Sequence, residues 1–300
     1  MRIGTRASAL ALAQARELAE LLGGAEIVPL STRGDRGAVA QDKARWVAEL
    51  EDALTAGEID MAVHSAKDVP GELAEGLALL GAPARGAPED VLCGAGGLGE
   101  LQRGARVGTS SIRRMAQLRA AREDLDVVPV RGNVDTRLHK LADPDQGLHA
   151  IVLARAGLQR LGRASQAGGA LDPAVFVPAP GQGTLALEGR ADDPDARAAA
   201  AAVTDPSTLG CLLAERGLAR ELQASCHTPL GAHALTLDGG GLLLRAWVGL
   251  PDGTAWVSDE LRGELREPAA LAGEMAARME LAGAGELLRR AEEMAGVGSV

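Results

Sequence analysis

A strand–turn–helix pattern that occurs twice constrains the fold of this 300-residue chain more than any other feature. In its first copy, short apolar runs predict strands, and apolar residues three and four positions apart predict helices. This alternation predicts a βαβαβ unit with a parallel sheet. Its elements are a strand over Arg2–Thr5, a helix over Ala9–Leu22, a strand over Glu26–Leu30, a helix over Trp46–Leu54 and a strand over Ile59–Val63.

The same order of elements returns between residues 106 and 154. Gly108-Thr109 repeats Gly4-Thr5, and Val128-Pro129-Val130 resembles Val28-Pro29-Leu30. The agreement predicts an internal duplication, with two α/β domains facing each other across a crevice that suits a ligand. The alternative is chance similarity in a composition rich in alanine and glycine.

The last third of the chain has a different pattern. Asp205-Pro206 starts a helix, because aspartate caps helix starts and proline suits the first turn. Three short strands follow, divided by Asp238–Gly241 and Pro251–Gly253, and helices close the chain from about Pro268. We expect an α/β protein with two domains like those of periplasmic binding proteins and a small α+β C-terminal domain. The expected domains are 1–83 with 184–202, 87–178, and 205–300.

Composition and charge exclude several classes of protein. A net charge of −10 argues against a general nucleic-acid surface. The amino terminus lacks the apolar core of a signal peptide, and no apolar run approaches a membrane span. Three cysteines at unrelated spacings (Cys93, Cys211 and Cys226) fit reduced thiols, not a disulfide framework or a zinc site. We expect a cytoplasmic monomer with no metal and no nucleic-acid or membrane partner.

A lysine and an aspartate stand together where the strand Ile59–Val63 ends. Lys67 and Asp68 lie in the polar stretch His64–Pro70, and the chain has only two other lysines. Open α/β sheets place ligand sites at the carboxyl ends of strands, so this pair is a candidate catalytic site. In the alternative interpretation, Asp68 caps a helix starting near Pro70 and Lys67 is a solvated neighbour.

Arginines gather in the turns that follow the predicted strands. Because parallel strands end at one edge of a sheet, their guanidiniums would converge there and hold carboxylates or phosphates. The Thr109–Ser111 hydroxyls and the following helix start offer a second anion cradle. The alternative is ordinary surface arginines, although cations at helix starts need a compensating anion. The arginines are Arg6, Arg113, Arg114, Arg131, Arg137 and Arg155.

Cys226 follows the predicted helix of the C-terminal domain and precedes the turn His227–Pro229. A thiol on a loop can attach a group covalently or act as a nucleophile. The alternative is an inert buried cysteine, which is how we interpret Cys93 and Cys211.

These segments together identify a family resemblance. The chain resembles the porphobilinogen deaminases, or hydroxymethylbilane synthases, over nearly its whole length and in the family's order. The two most specific segments are the one around Asp68 and the one that begins at Arg131. The matching segments are Gly4–Ser8, Thr32–Asp35, Ala62–Pro70, Gly108–Arg114, Arg131–Asn133 with Thr136–Leu138, Ala156–Leu158, Pro180–Gly183, and Cys226 with Pro229 and Gly231.

The resemblance implies an enzyme that joins four porphobilinogen molecules head to tail into hydroxymethylbilane, releasing ammonia each time. Each pyrrole carries an acetate and a propionate, which suits an arginine-lined crevice. It also implies one dipyrromethane cofactor, held by a thioether to Cys226. The family's catalytic aspartate falls on Asp68, where it would assist loss of ammonia, stabilise the azafulvene cation and handle the pyrrole proton.

The resemblance further implies the binding residues. Positions that hold the substrate or growing pyrrole chain fall on Arg6, Lys43, Arg137 and Arg160. Positions that hold the cofactor, besides Cys226, fall on Lys67, Ser8, Thr109, Ser110, Arg113, Arg114, Arg131, Gly132 and Asn133.

The chain also departs from the family pattern. The Asp35–Lys43 segment is shorter than usual, Trp46 stands where phenylalanine is common, and Ala66 replaces a methionine. Ala224-Ser225 replaces glycines before the cysteine, and Asp135 replaces a small residue. These departures bear on loop closure and turnover. Two rivals therefore stay open: a non-catalytic two-domain module that binds or senses an anionic solute, and a family member that lost turnover.

Overall fold

The computed structural model describes residues 1–30, 43–225, 228–294 and 296, without the side chains of residues 43–46. It divides into two compact units. Unit 1 comprises Met1–Gly86 and Gly181–Leu212, and unit 2 comprises Ala87–Pro180 and Leu213–Val300. The chain returns from unit 2 to unit 1 between Pro180 and Gly181.

The elements of the described residues follow one another with short connections in most places. In chain order they are β1 (Arg2–Arg6), α1 (Ala9–Leu21), β2 (Glu26–Leu30), α2 (Lys43–Thr55), β3 (Met61–Ser65), β4 (Leu77–Gly81), β5 (Asp90–Cys93), β6 (Arg106–Gly108), α3 (Ile112–Ala121), β7 (Asp126–Val128), α4 (Val134–Ala142), β8 (Ala150–Ala154), α5 (Arg155–Arg160), β9 (Leu185–Arg190), α6 (Pro194–Val203), α7 (Pro206–Glu221), β10 (Leu230–Leu237), β11 (Gly241–Gly249), β12 (Trp256–Glu264), α8 (Pro268–Leu281) and α9 (Ala284–Met294).

The sheet of unit 1 has the strand order β2-β1-β3-β9-β4. Strand β1 pairs in parallel with β2 and β3, as the predicted βαβαβ unit requires. The complete sheet is mixed, because β9, which was not predicted, runs antiparallel between β3 and β4. Helix α1 buries Ala15 and Leu18 against Ile3 and Met61 of this sheet.

The sheet of unit 2 repeats this arrangement. Its order is β5-β8-β6-β7, with β6 parallel to β7 and β8 and with β5 antiparallel to β8. Reversed, this is the β2-β1-β3-β9 portion of unit 1. The register agrees too, since Gly4 lies opposite Val28 and Gly108 lies opposite Val128. The topology confirms the predicted duplication.

The C-terminal part is α+β, as expected. Strands β10, β11 and β12 form an antiparallel sheet, and α8 and α9 contact β11 and β12. Within unit 2, Trp247 of β11 packs with Ala116 and Ala120 of α3 and with Val177. The C-terminal sheet therefore shares a core cluster with the second α/β part, and the three-domain division stays a prediction.

The sequence analysis missed three strands and two helices. Strands β4, β5 and β9 are only four to six residues long, and β5 and β9 also contain charged residues. Periodicity cannot separate so short a strand from a buried helix segment. Their partners are also distant in sequence, so only the folded sheet shows what they pair with. Among the described residues, no helix is long and apolar enough to cross a membrane.

Candidate active site

The catalytic candidates of unit 1 lie at the edge of the sheet where its parallel strands end. Arg6 is the last residue of β1, and Ser8 caps α1 by accepting the Ala11 N–H at 3.3 Å. Lys67 and Asp68 form a 3-10 turn directly after β3, and both are half-buried. The structure therefore places all four predicted residues at one edge of one sheet.

Asp68 is not a helix cap. The 3-10 turn Ala66–Asp68 ends at Asp68, and the next regular element after Pro70 is β4. The capping interpretation of Asp68 is therefore wrong. The turn is instead fixed by a backbone hydrogen bond, in which the Ala66 N–H donates to the Thr184 carbonyl at 3.0 Å.

Ser65, just before this turn, is also held in place by a hydrogen bond. Gln14 is buried in α1, and its Nε2 donates to Ser65 Oγ at 2.6 Å. Gly181 packs closely from the other side, since a Cβ there would lie 2.9 Å from Ala66 Cβ. Gly181 thus supports the turn that presents Asp68.

In unit 2 the parallel strands also end at one edge. Strand β6 leads through Thr109–Ser111 into α3, β7 leads through Arg131–Asn133 into α4, and β8 leads into α5. The predicted convergence of turns is confirmed for this unit at the level of the backbone. Arg6, which was predicted to converge with the arginines of these turns, belongs to unit 1.

Arg113 and Arg114 are almost fully buried and share the carboxylate of Asp90, which begins β5. Arg113 Nη2 lies 2.7 Å from Asp90 Oδ2, and Arg114 Nη2 lies 2.6 Å from Oδ1. Arg113 also donates to the Val177 carbonyl, and Arg114 to the Val152 carbonyl. Burial alone would raise the pKa of Asp90, but the two guanidinium charges hold that pKa far below its usual range.

Asp90 changes the argument for an external anion. The sequence analysis required a ligand to compensate Arg113 and Arg114, but Asp90 supplies one negative charge from within the protein. Two guanidiniums against one carboxylate still leave an excess positive charge. The sequence analysis missed Asp90; a charged residue opening the apolar run Val91–Cys93 was the available signal.

Two buried polar atoms follow β6, at the start of α3. Ser110 Oγ and Arg113 Nε are buried and have no hydrogen-bond partner within the described part of the chain. The neighbouring hydroxyls are occupied, since Thr109 Oγ1 accepts the Ser111 N–H and Ser111 Oγ caps α3. Buried polar atoms are normally satisfied, and both of these atoms can donate to a carboxylate oxygen.

The turn before α4 is shaped for a close approach. Gly132 has a φ of 123°, and a Cβ there would lie 2.7 Å from Thr136 Cγ2. Asn133 caps α4 by accepting the Thr136 N–H at 2.9 Å. Arg137 Nε donates to the Gly132 carbonyl at 2.7 Å, and Arg131 is exposed.

Arg137 has no counter-ion among the residues that the structure describes. Burial, and then the charge of Arg114, lower the pKa of the Arg137 guanidinium to about 10. No carboxylate of the described residues pairs with it. A cation placed beside another cation in a half-buried position is stabilised when an anion binds.

The remaining charged residues of unit 2 that the sequence analysis named have different surroundings. Arg160 is half-buried in the last turn of α5. Arg155, predicted to converge with the others, instead pairs with Glu89 at 2.7 Å. The unusual Asp135 has a partner in Arg163, 3.3 Å away.

Several predicted features lie outside the described residues. They include Cys226, the Thr32–Asp35 segment, and the side chains of Lys43 and Trp46. Cys93 and Cys211 are buried as expected, and burial raises the pKa of the Cys93 thiol to about 11.

Family models match the chain in two parts. The model described as "Porphobilinogen deaminase, dipyromethane cofactor binding domain" matches residues 1–198. The model described as "Porphobilinogen deaminase, C-terminal domain" matches residues 209–280.

The chain belongs to the porphobilinogen deaminase family.

Curated porphobilinogen deaminases from several bacteria are similar along nearly their whole length. The protein from Deinococcus radiodurans is 43% identical, covering 97% of this chain and 98% of the relative. The protein from Bordetella parapertussis is 45% identical, covering 94% and 93%. Among solved structures, the methionine binding protein MetQ has a TM-score of 0.40 and 14% identity, covering 68% of this chain and 89% of MetQ. That likeness is too remote to bear on function.

Proposed function

We infer that this chain has the activity of the porphobilinogen deaminase family. It condenses four porphobilinogen molecules head to tail into hydroxymethylbilane, with loss of ammonia at each step. Family membership along nearly the whole chain supports this function. The structural observation that carries it is the half-buried turn that presents Asp68 beside Lys67 at the strand ends of unit 1.

The arginines serve to hold carboxylates. Each porphobilinogen brings an acetate and a propionate, which guanidiniums bind through paired, charge-assisted hydrogen bonds. Arg137 is the strongest candidate, because it is half-buried near Arg114 and has no carboxylate partner among the described residues. Arg6, Lys43 and Arg160 are proposed to share the substrate-binding role.

Asp68 serves the reaction as an anion and a proton carrier. A carboxylate at the reacting pyrrole stabilises the cation left when ammonia departs. It also takes the proton that the pyrrole ring loses when the new carbon–carbon bond forms. Lys67, next in the turn, is proposed to hold a carboxylate of the cofactor.

The residues of unit 2 fit a dipyrromethane. Ser110 Oγ and Arg113 Nε are buried donors without a partner among the described residues, and the excess positive charge around Arg114 suits the carboxylates of two pyrroles. When bound, the dipyrromethane supplies the pyrrole carbon to which the first substrate unit is joined. The proposed holders are Cys226, through a thioether, with Ser8, Lys67, Thr109, Ser110, Arg113, Arg114, Arg131, Gly132 and Asn133.

Three features of the whole molecule stay predictions from the sequence. They are a cytoplasmic location, a monomeric state, and the division into domains 1–83 with 184–202, 87–178 and 205–300. We propose no nucleic-acid or membrane partner.

Intact mass and turnover together test the function. We expect the purified protein, after incubation with porphobilinogen, to exceed its sequence mass by two pyrrole units, and Cys226→Ser to show no excess. Asp68→Ala should retain the fold but lose nearly all ammonia release, whereas Glu72→Ala, in the exposed loop that follows, should behave as wild type. Unmodified mass after incubation, or ammonia release unchanged in Asp68→Ala, would contradict the mechanism. The solute-binding alternative predicts pyrrole binding without any ammonia.

A further inference from the structure

Three ionisable side chains meet inside unit 1, behind the turn that carries Asp68. His64 on β3 and Glu188 on β9 are almost fully buried, and Glu51 on α2 is half-buried. His64 Nε2 lies 2.9 Å from Glu188 Oε2. The strand register explains this contact, since His64 lies opposite Ala186 and Glu188 lies opposite Ala62. The two side chains are therefore diagonal neighbours on one face of the sheet.

A carboxyl group as deeply buried as that of Glu188 needs partners. His64 Nε2 is close to Glu188 Oε2 but is not aligned to donate a hydrogen bond to it, and an ionised Glu51 cannot donate, so the Glu188 oxygens then have no aligned donor among the described residues. A proton on Glu51 supplies that donor. Consistently, burial and then the charge of Glu188 raise the pKa of Glu51, although the Ala74 N–H acts in the opposite direction.

The cluster contacts the chain on both sides of the catalytic turn. His64 immediately precedes Ser65 at the end of β3. On the far side, the Ala74 N–H donates to Glu51 Oε1 at 3.1 Å. Residues 65–73, which include Lys67 and Asp68, thus run between two points that are tied to the same buried charges.

We propose that Glu51, His64 and Glu188 form a positioning cluster that holds both flanks of the turn bearing Lys67 and Asp68. The proposal rests on the proposed function, because positioning matters only if Asp68 acts on a substrate. It also connects α2, which begins at Lys43, to the strands that carry the site. Nothing in the proposed chemistry uses these three residues directly.

Loss of the Glu51 contacts should lower turnover more than substrate binding. Displacing a reacting group by about an ångström can cost on the order of a hundredfold in rate. Glu51→Met keeps most of the side-chain volume but removes the acceptor of the Ala74 N–H and the carboxyl group that interacts with Glu188. We expect its kcat to fall about ten- to a hundredfold, with KM changed less than about threefold.

Two further variants separate positioning from general stability. Glu51→Gln should recover most of the turnover, because an amide can accept from the Ala74 N–H and donate to Glu188. Asp52→Ala is the matched control, since Asp52 is the exposed acidic neighbour on the same helix. It should leave kcat unchanged.

Amide hydrogen exchange on the cofactor-loaded protein supplies a readout that does not depend on activity. Peptides covering residues 65–76 should exchange faster in Glu51→Met than in wild type, Glu51→Gln or Asp52→Ala. Should Glu51→Met fail to fold, Ala74→Pro deletes the N–H donor from an exposed position and should give the same faster exchange and lower kcat.

Wild-type kcat and exchange in folded Glu51→Met, or in folded Ala74→Pro, would overturn the proposal. If the wild-type protein releases no ammonia from porphobilinogen, the proposed function fails. The exchange comparison then still decides whether the cluster holds the turn.

Discussion

At the scale of single residues, each α/β sheet buries charge behind the strand ends that carry its candidate site. Unit 1 buries Glu188 against His64, and unit 2 buries Asp90 against Arg113 and Arg114. Buried charges are costly unless they are paired and hydrogen-bonded. Pairs of this kind fix the orientation of their side chains, which suits a site that must be preorganised for a ligand.

Asp90→Asn should be among the most destabilising single substitutions in unit 2. It leaves two buried guanidiniums without an anion, a loss that typically costs about 3–5 kcal/mol. Because the folded pKa of Asp90 is lowered, its stabilising effect is present above the unfolded pKa and is lost as the pH falls towards the folded value. Urea unfolding at neutral and acidic pH measures both effects.

Asp259→Asn is the control for this prediction. Asp259 pairs with Arg278 at 2.7 Å on the surface of the C-terminal sheet, where both groups reach solvent. Exposed pairs contribute about 0–1 kcal/mol, so its unfolding should stay close to wild type. Equal stability of Asp90→Asn and Asp259→Asn would show that Asp90 is not the counter-ion of the buried arginines.

At the scale of elements, two equivalent strands approach their neighbours so closely that only glycine fits. A Cβ on Gly4 in β1 would lie 2.2 Å from Ile59 Cδ1, and one on Gly108 in β6 would lie 2.4 Å from Val130 Cγ2. Both glycines precede a buried threonine near the end of the strand. The repeated Gly-Thr pair therefore reflects the same packing in both units.

Gly108→Ala should destabilise the protein by about 1–3 kcal/mol, the usual cost of overpacking a core. Its methyl group would meet β-branched side chains of two neighbouring segments, Val130 and Ile151. Gly273→Ala is the opposite case, since nothing lies within 4 Å of that position inside α8. Removing a glycine from a helix interior should stabilise by about 0.5–1 kcal/mol. Thermal unfolding of the two variants should shift in opposite directions.

At the scale of the whole molecule, the C-terminal sheet is not independent of the second α/β part. The turn between β11 and β12 rests on α3, where Arg119 Nη1 donates to the Pro251 carbonyl at 2.9 Å. Gly253 allows this contact, because its φ is 77° and a Cβ would lie 2.5 Å from the Ala120 backbone nitrogen. Helix α3 carries Arg113 and Arg114, so these two proposed cofactor-binding residues and the C-terminal sheet share one unit.

Gly253→Val should loosen both partners of this contact together. Its side chain would meet backbone atoms, which cannot give way as flexible side chains do, and valine resists a positive φ. Amide exchange should rise in α3 as well as in the β11–β12 hairpin. A rise confined to the hairpin would instead indicate that the C-terminal domain is energetically separate, as the three-domain prediction has it.

The sequence by itself determined the repeated α/β plan, the α+β end of the chain and the family. These follow from local information: apolar spacing, glycine and proline turns, and short segments such as Ala62–Pro70. It also placed Lys67 and Asp68 at a strand end, because that position depends only on the strand before them. Helix caps such as Asn133 likewise depend only on residues close by in the sequence.

Only the tertiary structure decided which strands complete each sheet and which charges face one another. Strand β9 pairs with β3 although the two are distant in sequence, and no local pattern predicts an antiparallel partner. Asp90, the counter-ion of Arg113 and Arg114, comes from a strand that periodicity could not identify. Glu51, His64 and Glu188 likewise come from three elements. Burial and pairing depend on what the fold brings together, so they cannot be derived from spacing along the chain.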